Sequence, residues 1–284
     1  MPLSLSNRTL IDGRLPSAED LDWLLASRAL AFGEGLFTSV RVWQGQLVFW
    51  PEHLERLKTG LQGLKVEQPA DFWQKLEQEA RQEALDLHQG MLKIMLLAGP
   101  GGRGYQRSDA GDAWHRVLHV RDLVLQESAY QGVPLWWQAC PAAGPQSESK
   151  HLNRLSQVLA SDACPKGYAE ALLFGSQGEL VEGIARNVFW YAQGRWHTPS
   201  LKTGALAGVM RKQLLKRLNV LEEEQALLKD LQAADELLVC NSLQGIWPAT
   251  SLNDASGRLA TWPLGSKTQE LMHCFHSEMG LPLI

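Results

Sequence analysis

The segment spanning residues 36–64 switches its hydrophobic period partway along, and that switch limits the architectures open to the chain. LFTSVRVWQGQLVF (36–49) alternates apolar and polar residues around Gln44-Gly45 and predicts a β-hairpin. PEHLERLKTGLQGL (51–64) follows at once. Pro51 opens it, and Leu54, Leu57, Leu61 and Leu64 recur at helical spacing. A hairpin running straight into an amphipathic helix predicts a sheet with a helix packed on one face.

The mixture continues along the chain. A second helix is predicted over 69–88, strands over 91–99 and 116–125, and a polar, turn-prone linker over 127–132. Beyond it the pattern gives strands at 134–140, 169–174, 187–191 and 236–240, and helices at 152–164, 207–219 and 266–279. Steady βαβ alternation is missing, so the reading is α+β: a smaller N-terminal domain (1–126), the linker (127–132) and a larger C-terminal domain (133–284). The balance of 27 Lys and Arg against 31 Asp and Glu argues against nucleic-acid binding through bulk positive charge. Cys140, Cys164, Cys240 and Cys274 form no CxxC pair, so neither a metal site nor a disulfide framework is expected. Reduced thiols and an N-terminus unlike a secretory signal predict a cytoplasmic protein, and no stretch is apolar enough to span a membrane.

Five segments offer chemistry. Lys150 stands between a small polar run and the apolar helix that follows; a lysine there is either a solvated charge or a Schiff-base former. Glu182 ends a short strand, and Asn187 leads the apolar run VFWY. Glu182 is either a hairpin-edge charge or a buried carboxylate in need of a cationic partner. TGALAGVMRKQLL (203–215) is a glycine-bearing turn opening a helix, where backbone N–H groups can hold a phosphate. Ser242, in CNSLQGIWP, follows a strand in the same manner. Arg56 lies off the leucine stripe beside Gly60 and is a surface arginine or a phosphate clamp. A Schiff-base lysine, a carboxylate for a ring nitrogen and a phosphate cup are together what pyridoxal 5'-phosphate requires.

These segments carry a resemblance. RALAFGEGLF (28–37), EHLERL (52–57), Lys150 with its helix, E-x4-N-V-F (182–189), TGALAGVMR (203–211) and CNSLQGIWP (240–248) occur in the order found in fold-type IV pyridoxal-phosphate enzymes. The chain therefore resembles that superfamily, with its two-domain, D-amino acid aminotransferase-like fold. KHLNRLSQVLA (150–160), LAGPGGRGY (97–105) and Thr38 resemble its aminodeoxychorismate lyase branch rather than D-amino acid or branched-chain aminotransferases. The resemblance implies Lys150, Thr38 and Glu182 as catalytic residues, and Lys150, Glu182, Arg56, Asn187, Leu206, Ala207 and Ser242 as cofactor-binding. It implies formation of 4-aminobenzoate and pyruvate from 4-amino-4-deoxychorismate, and a homodimer acting on a small molecule. Lys93 and Arg103 are the expected ligands of the substrate carboxylates. Thr38 is expected to face the cofactor cleft and to relay a proton with Lys150 or a water behind it. Arg186 departs from the pattern, standing where the family has a small residue.

Overall fold

The computed structural model describes residues 8–108, 113–140 and 146–283. The chain divides into two compact units. One comprises 1–124 with Ser149–Asn153, the other 125–148 with Arg154–Ile284.

The first unit is built on β1 (Arg8–Ile11), α1 (Ala18–Leu25), α2 (Arg28–Phe32), β2 (Gly35–Trp43), β3 (Gln46–Leu47), α3 (Trp50–Gly63), α4 (Ala70–Ala84), β4 (Gln89–Ala98) and β5 (Trp114–Arg121). Its strands form an antiparallel sheet in the order β1-β5-β4-β2-β3. The hairpin expected at 36–49 is present. Gln44 and Gly45 both take positive φ, 49° and 74°, the geometry that suits a two-residue turn to the strand twist.

Strand alternation gives this sheet two different faces. Val40, Val42, Leu92, Ile94, Leu118 and Val120 point to one side and form a core with Leu57 and Leu61 of α3 and Phe72 and Leu76 of α4. Gly60 is small because Leu36 lies against it; a Cβ there would stand 2.6 Å from Leu36 Cδ1. The other face carries Phe37, Ser39, Arg41, Lys93 and His119, in register across β2, β4 and β5. Near its edge Ile11, Ala29, Leu97 and Val117 close a smaller core with Trp23 and Leu24.

β3 pairs only with the far end of β2, at Val42 and Trp43. The near end takes up the segment around Lys150: Phe37 N–H donates to Lys150 C=O (2.8 Å) and Leu152 N–H to Gly35 C=O (3.0 Å). Lys150, expected from chain order in the C-terminal domain, thus makes these backbone bonds with the N-terminal sheet. The cause is an open strand edge, which a non-local segment can satisfy.

The second unit holds β6 (Val133–Ala139), α5 (Leu155–Ala163), β7 (Glu170–Phe174), β8 (Leu180–Gly183), β9 (Asn187–Ala192), β10 (Arg195–Pro199), α6 (Val209–Arg217), β11 (Val220–Glu223), α7 (Leu228–Gln232), β12 (Glu236–Asn241), β13 (Gly245–Asp254), β14 (Gly257–Thr261) and α8 (Ser266–Met279). The strands run β11-β10-β9-β12-β13-β6-β7-β8, with β14 on β13. Most pairs are antiparallel, but β10–β11, β13–β6 and β6–β7 are parallel, so the sheet is mixed. α8 lies on β12 and β13 and buries Leu271, Met272, Phe275 and Met279. The expected linker forms a 3-10 turn, Glu127–Gln131. No helix among the described residues is long and apolar enough to cross a membrane.

Candidate active site

Each unit assembles its own set of functional side chains. In the first, Lys150 and Lys93 both reach the ring of Phe37, their Nζ atoms 4.6 and 5.2 Å from its centroid. This puts two ammonium groups on the sheet face away from α3 and α4. Arg41 and His119 lie on the same face, and Arg121 and Lys93 help to hold the His119 imidazole below its ordinary pKa, after burial. The surface suits an anionic ligand.

Thr38 points the other way. Alternation places it with Val40 and Val42, and it is fully buried against α3. Its hydroxyl accepts a hydrogen bond from Arg56 Nη2 and lies 2.6 Å from His53 Nδ1. His53 was not singled out by the sequence. It is completely buried, and its pKa falls well below the ordinary histidine value. Desolvation is the main cause, and the charges of Arg56 and Lys150 add to it. The available signal was its place four residues before Leu57, on the buried side of α3.

Arg103 sits on the exposed glycine-rich loop after β4. That loop is anchored by Arg28, also missed from sequence. Arg28 Nη1 donates to the Gln106 carbonyl (2.9 Å) and Nη2 to the Tyr105 carbonyl (3.1 Å), while Nε pairs with Glu34 at 2.5 Å. Arg107 binds the same Glu34 carboxylate.

In the second unit, Glu182 and Asn187 converge on one turn. Glu182 is buried in β8, and its Oε2 accepts from Leu206 N–H at 2.9 Å. Asn187 Nδ2 donates to the Leu206 carbonyl, also at 2.9 Å. A Cβ on Gly208 would collide with Asn187 Oδ1, so only glycine allows this approach. The negative field of Glu182, with that of Glu179, reinforces burial in pushing the Cys140 thiol up to about 11.

The backbone donors expected to form a phosphate cup are partly committed. Leu206 N–H serves Glu182, and Ala207 N–H donates to the Glu148 carbonyl at 3.0 Å. The groups left without an intrahelical acceptor are the first N–H groups of α6, at Val209 and Met210, just past the N-cap Gly208. Ser242 lies in the turn from β12 to β13, where Asn241 Oδ1 accepts from the N–H groups of Leu243 and Gln244. Cys240 pairs with Asn187 in register, which brings this turn beside Asn187.

Arg186 is buried, its guanidinium 3.3 Å from the Trp247 ring centroid and its Nε 3.7 Å from Glu170 Oε2. Burial pulls its pKa down to about 10 and raises that of Glu170. Glu170 also accepts from Ile184 N–H (2.8 Å) and Ala185 N–H (3.3 Å). The large residue therefore braces the bend leading to Asn187 through an ion pair and an aromatic stack, where a small side chain would make neither.

Known proteins resemble this chain in sequence and in fold. A family model described as amino-transferase class IV matches residues 35–252. A Vibrio harveyi protein named aminodeoxychorismate lyase is 30% identical over 260 residues, covering 87% of this chain and 93% of its own length. The crystal structure of 4-amino-4-deoxychorismate lyase from Pseudomonas aeruginosa superposes with a TM-score of 0.83 at 30% identity, over 95% of this chain and 98% of that one. A branched-chain amino acid aminotransferase from Escherichia coli has the same fold, with a TM-score of 0.79 at 21% identity over 96% and 94% of the two chains. The lysine, the buried carboxylate and the glycine-capped helix stand within a chain that belongs to the class IV amino-transferase family.

Proposed function

We propose that the protein is a pyridoxal-phosphate-dependent 4-amino-4-deoxychorismate lyase, which converts its substrate to 4-aminobenzoate and pyruvate. The cofactor's fit is supported by the chemistry of the donors. Glu182 is a buried carboxylate suited to a protonated ring nitrogen, and α6 offers N–H groups at a glycine N-cap to an anion. Lys150 supplies the amine, and Arg56 a cation for the phosphate. In the second unit we assign phosphate binding to Val209 and Met210 N–H and Ser242. Asn187, Leu206 and Ala207 shape the turn.

When bound, the cofactor withdraws the electron pair left at the amine-bearing carbon. Lys150 takes the proton from that carbon. Glu182 keeps the proton on the ring nitrogen by supplying a fixed negative charge. The ring carbon–oxygen bond then breaks, and its electron pair leaves on the enolpyruvyl oxygen. Thr38, buried against α3, acts through Arg56, whose hydrogen bond it accepts, and the proton held by Lys150 neutralises the departing group. Lys93 and Arg103 bind the two carboxylates. The observation that carries the lyase reading over transamination is the likeness, at 30% identity over most of both chains, to proteins named aminodeoxychorismate lyase.

The subunits pair as a homodimer in this reading. Its support is the exposed apolar stripe Leu155, Val158 and Leu159 on α5, whose spacing lines one helix face. The free cysteines are in keeping with a cytoplasmic location. The test is production of 4-aminobenzoate from enzymatically generated aminodeoxychorismate. Rapid transamination of D-alanine or leucine with a keto acid, without 4-aminobenzoate, would replace the lyase with an aminotransferase.

A further inference from the structure

One imidazole on the open face of the first sheet has no part in these steps. Register places Ser39, Lys93, His119 and Thr9 in a single row across β2, β4, β5 and β1. Side chains paired in this way share a face and lie within reach of one another. Their chain neighbours Thr38, Leu92 and Leu118 are fully buried on the other face, whereas the four in the row are all partly exposed. The row therefore looks outward from the core.

The surroundings of His119 are one-sided. Its Nδ1 lies 2.5 Å from Thr9 Oγ1. The groups that face it are Lys93 from β4, Arg121 from its own strand and the Thr9 hydroxyl from β1. Burial and the two positive charges hold the imidazole below its ordinary pKa, so the ring is neutral at pH 7. Lys93, for its part, contacts the Phe37 ring and makes no ion pair among the described residues. A row with an ammonium group, an imidazole and no carboxylate is suited to a carboxylate brought by a ligand.

The shape of the substrate connects the row to the reaction. In 4-aminobenzoate the amine and the carboxylate stand at opposite ends of one ring. Lys150 takes the proton from the amine-bearing carbon, so that end lies by Lys150 Nζ, over Phe37 of β2. His119 is two strands further on, about 10 Å away at the usual strand spacing. A ring lying across the face from Lys150 carries its carboxylate over β4 and β5. We infer that His119 is a substrate-binding residue: together with Lys93 it holds the ring carboxylate, the one that 4-aminobenzoate retains. The inference rests on the lyase reading and leaves the enolpyruvyl carboxylate to Arg103. A carboxylate beside His119 favours the imidazolium form, so binding takes up a proton and strengthens as pH falls.

The test uses the holoenzyme and two probes, 4-aminobenzoate and its uncharged analogue 4-aminobenzamide, titrated by calorimetry at about pH 8 and about pH 6. Each unit by which binding raises the imidazole pKa is worth about tenfold, so 4-aminobenzoate should bind up to about tenfold more tightly at the lower pH, and the amide should not. His119→Gln keeps a neutral donor and should lose the gain at low pH. His119→Ala should weaken 4-aminobenzoate about tenfold at the lower pH and raise the substrate KM similarly, with kcat and cofactor absorbance kept. Equal binding of the two probes, binding unchanged in His119→Ala, or a gain at low pH that persists in His119→Gln each overturns the inference. If a variant fails to fold, 15N-histidine spectra of the wild type decide: the His119 signals should move with 4-aminobenzoate and not with the amide, and signals that move with neither overturn it. Wild-type protein that makes no 4-aminobenzoate overturns the lyase reading and the inference with it. Normal turnover with binding indifferent to His119 overturns the inference alone.

Discussion

Replacing Glu182 with Gln separates two jobs that the structure gives to one carboxylate. Its Oε2 accepts from Leu206 N–H at 2.9 Å, a bond the amide oxygen of Gln also makes. The fold should therefore be nearly unaffected, because no buried donor is orphaned; Glu182→Ala orphans it at a cost of about 1–3 kcal/mol. The charge, by contrast, is lost. Each unit of favourable pKa shift removed from the ring nitrogen costs about 1.4 kcal/mol, or about tenfold in rate. For a buried pair the ceiling is higher: at an effective dielectric near 20 and 4 Å, a charge pair is worth about 4 kcal/mol. Turnover of Glu182→Gln should thus fall by between about tenfold and a thousandfold. The assay is 4-aminobenzoate formation on one preparation, with cofactor absorbance and thermal unfolding measured alongside. A coloured, stable variant that turns over at the wild-type rate would refute the reasoning and leave Glu182 as a brace for the Leu206 turn. A second readout needs no substrate. The Cys140 thiol, raised in part by Glu182, should ionise at lower pH in the variant and be alkylated faster at fixed pH.

Three further outcomes follow from the same geometry. Lys150→Ala should lose both the visible cofactor absorbance and turnover; a reducible cofactor adduct persisting at Lys166 or Lys202 would show that another lysine carries the chemistry. Thr38→Ala removes the acceptor that holds Arg56 and should lower lyase turnover by about tenfold, the scale of one lost charge-assisted hydrogen bond. A fully active, coloured variant would leave Thr38 as a strand residue with no bearing on Arg56. The last concerns stability. Arg14 and the Ser17 backbone N–H hold the Asp20 carboxyl well below the usual range. A lowered carboxylate pKa stabilises the fold above the unfolded value of about 3.9, and that contribution fades as pH falls through the folded value. Asp20→Asn should therefore unfold at lower temperature than wild type at pH 7, and the gap should narrow below about pH 4. A gap independent of pH would mean that the charge contributes nothing.

Elements with a long, single period were the legible ones. The 36–49 hairpin, the helix from Pro51 and the terminal helix at 266–279 were each expected within a residue or two of where they lie. β1, with four residues, and α1 and α2, with eight and five, are too short for a period to register. α1 did carry a local signal: Ser17 and Asp20 form a capping box at its start. The residue types at Lys150, Glu182, Asn187 and Arg56 stood out in the sequence, but the partners did not. That Leu206 N–H is spent on Glu182 and Ala207 N–H on Glu148, leaving Val209 and Met210, depends on how a turn folds back over a distant strand. His53 was hidden by the stripe used to find its helix: Leu54, Leu57, Leu61 and Leu64 mark one line, and a histidine beside it looks like a flanking polar residue. Only the register of β2 against α3, which puts Thr38 on the helical side of the sheet, gives it a partner.

The two sets of side chains differ in how they are held, and this bears on how each tolerates change. In the second unit, Glu182 and Asn187 grip the N–H and the C=O of a single residue, Leu206, and the missing side chain of Gly208 gives Asn187 the space to do so. A side chain lost from this set disturbs the turn that opens α6 and hence the N–H groups offered to an anion, so binding and chemistry should fail together. In the first unit the link is a chain: Arg56 donates to Thr38, and Thr38 meets His53. Its polar groups can be exchanged one at a time without opening the apolar core formed by Leu57, Leu61, Val40 and Ile94. Lys150 stands outside that chain, on the opposite face with Phe37 and Lys93, and is tied to β2 by main-chain bonds that no side-chain substitution removes. Its amine can therefore be altered without displacing the backbone that carries it. This is the arrangement expected of a nucleophile that must swing between two bonded states while the segment beneath it stays fixed.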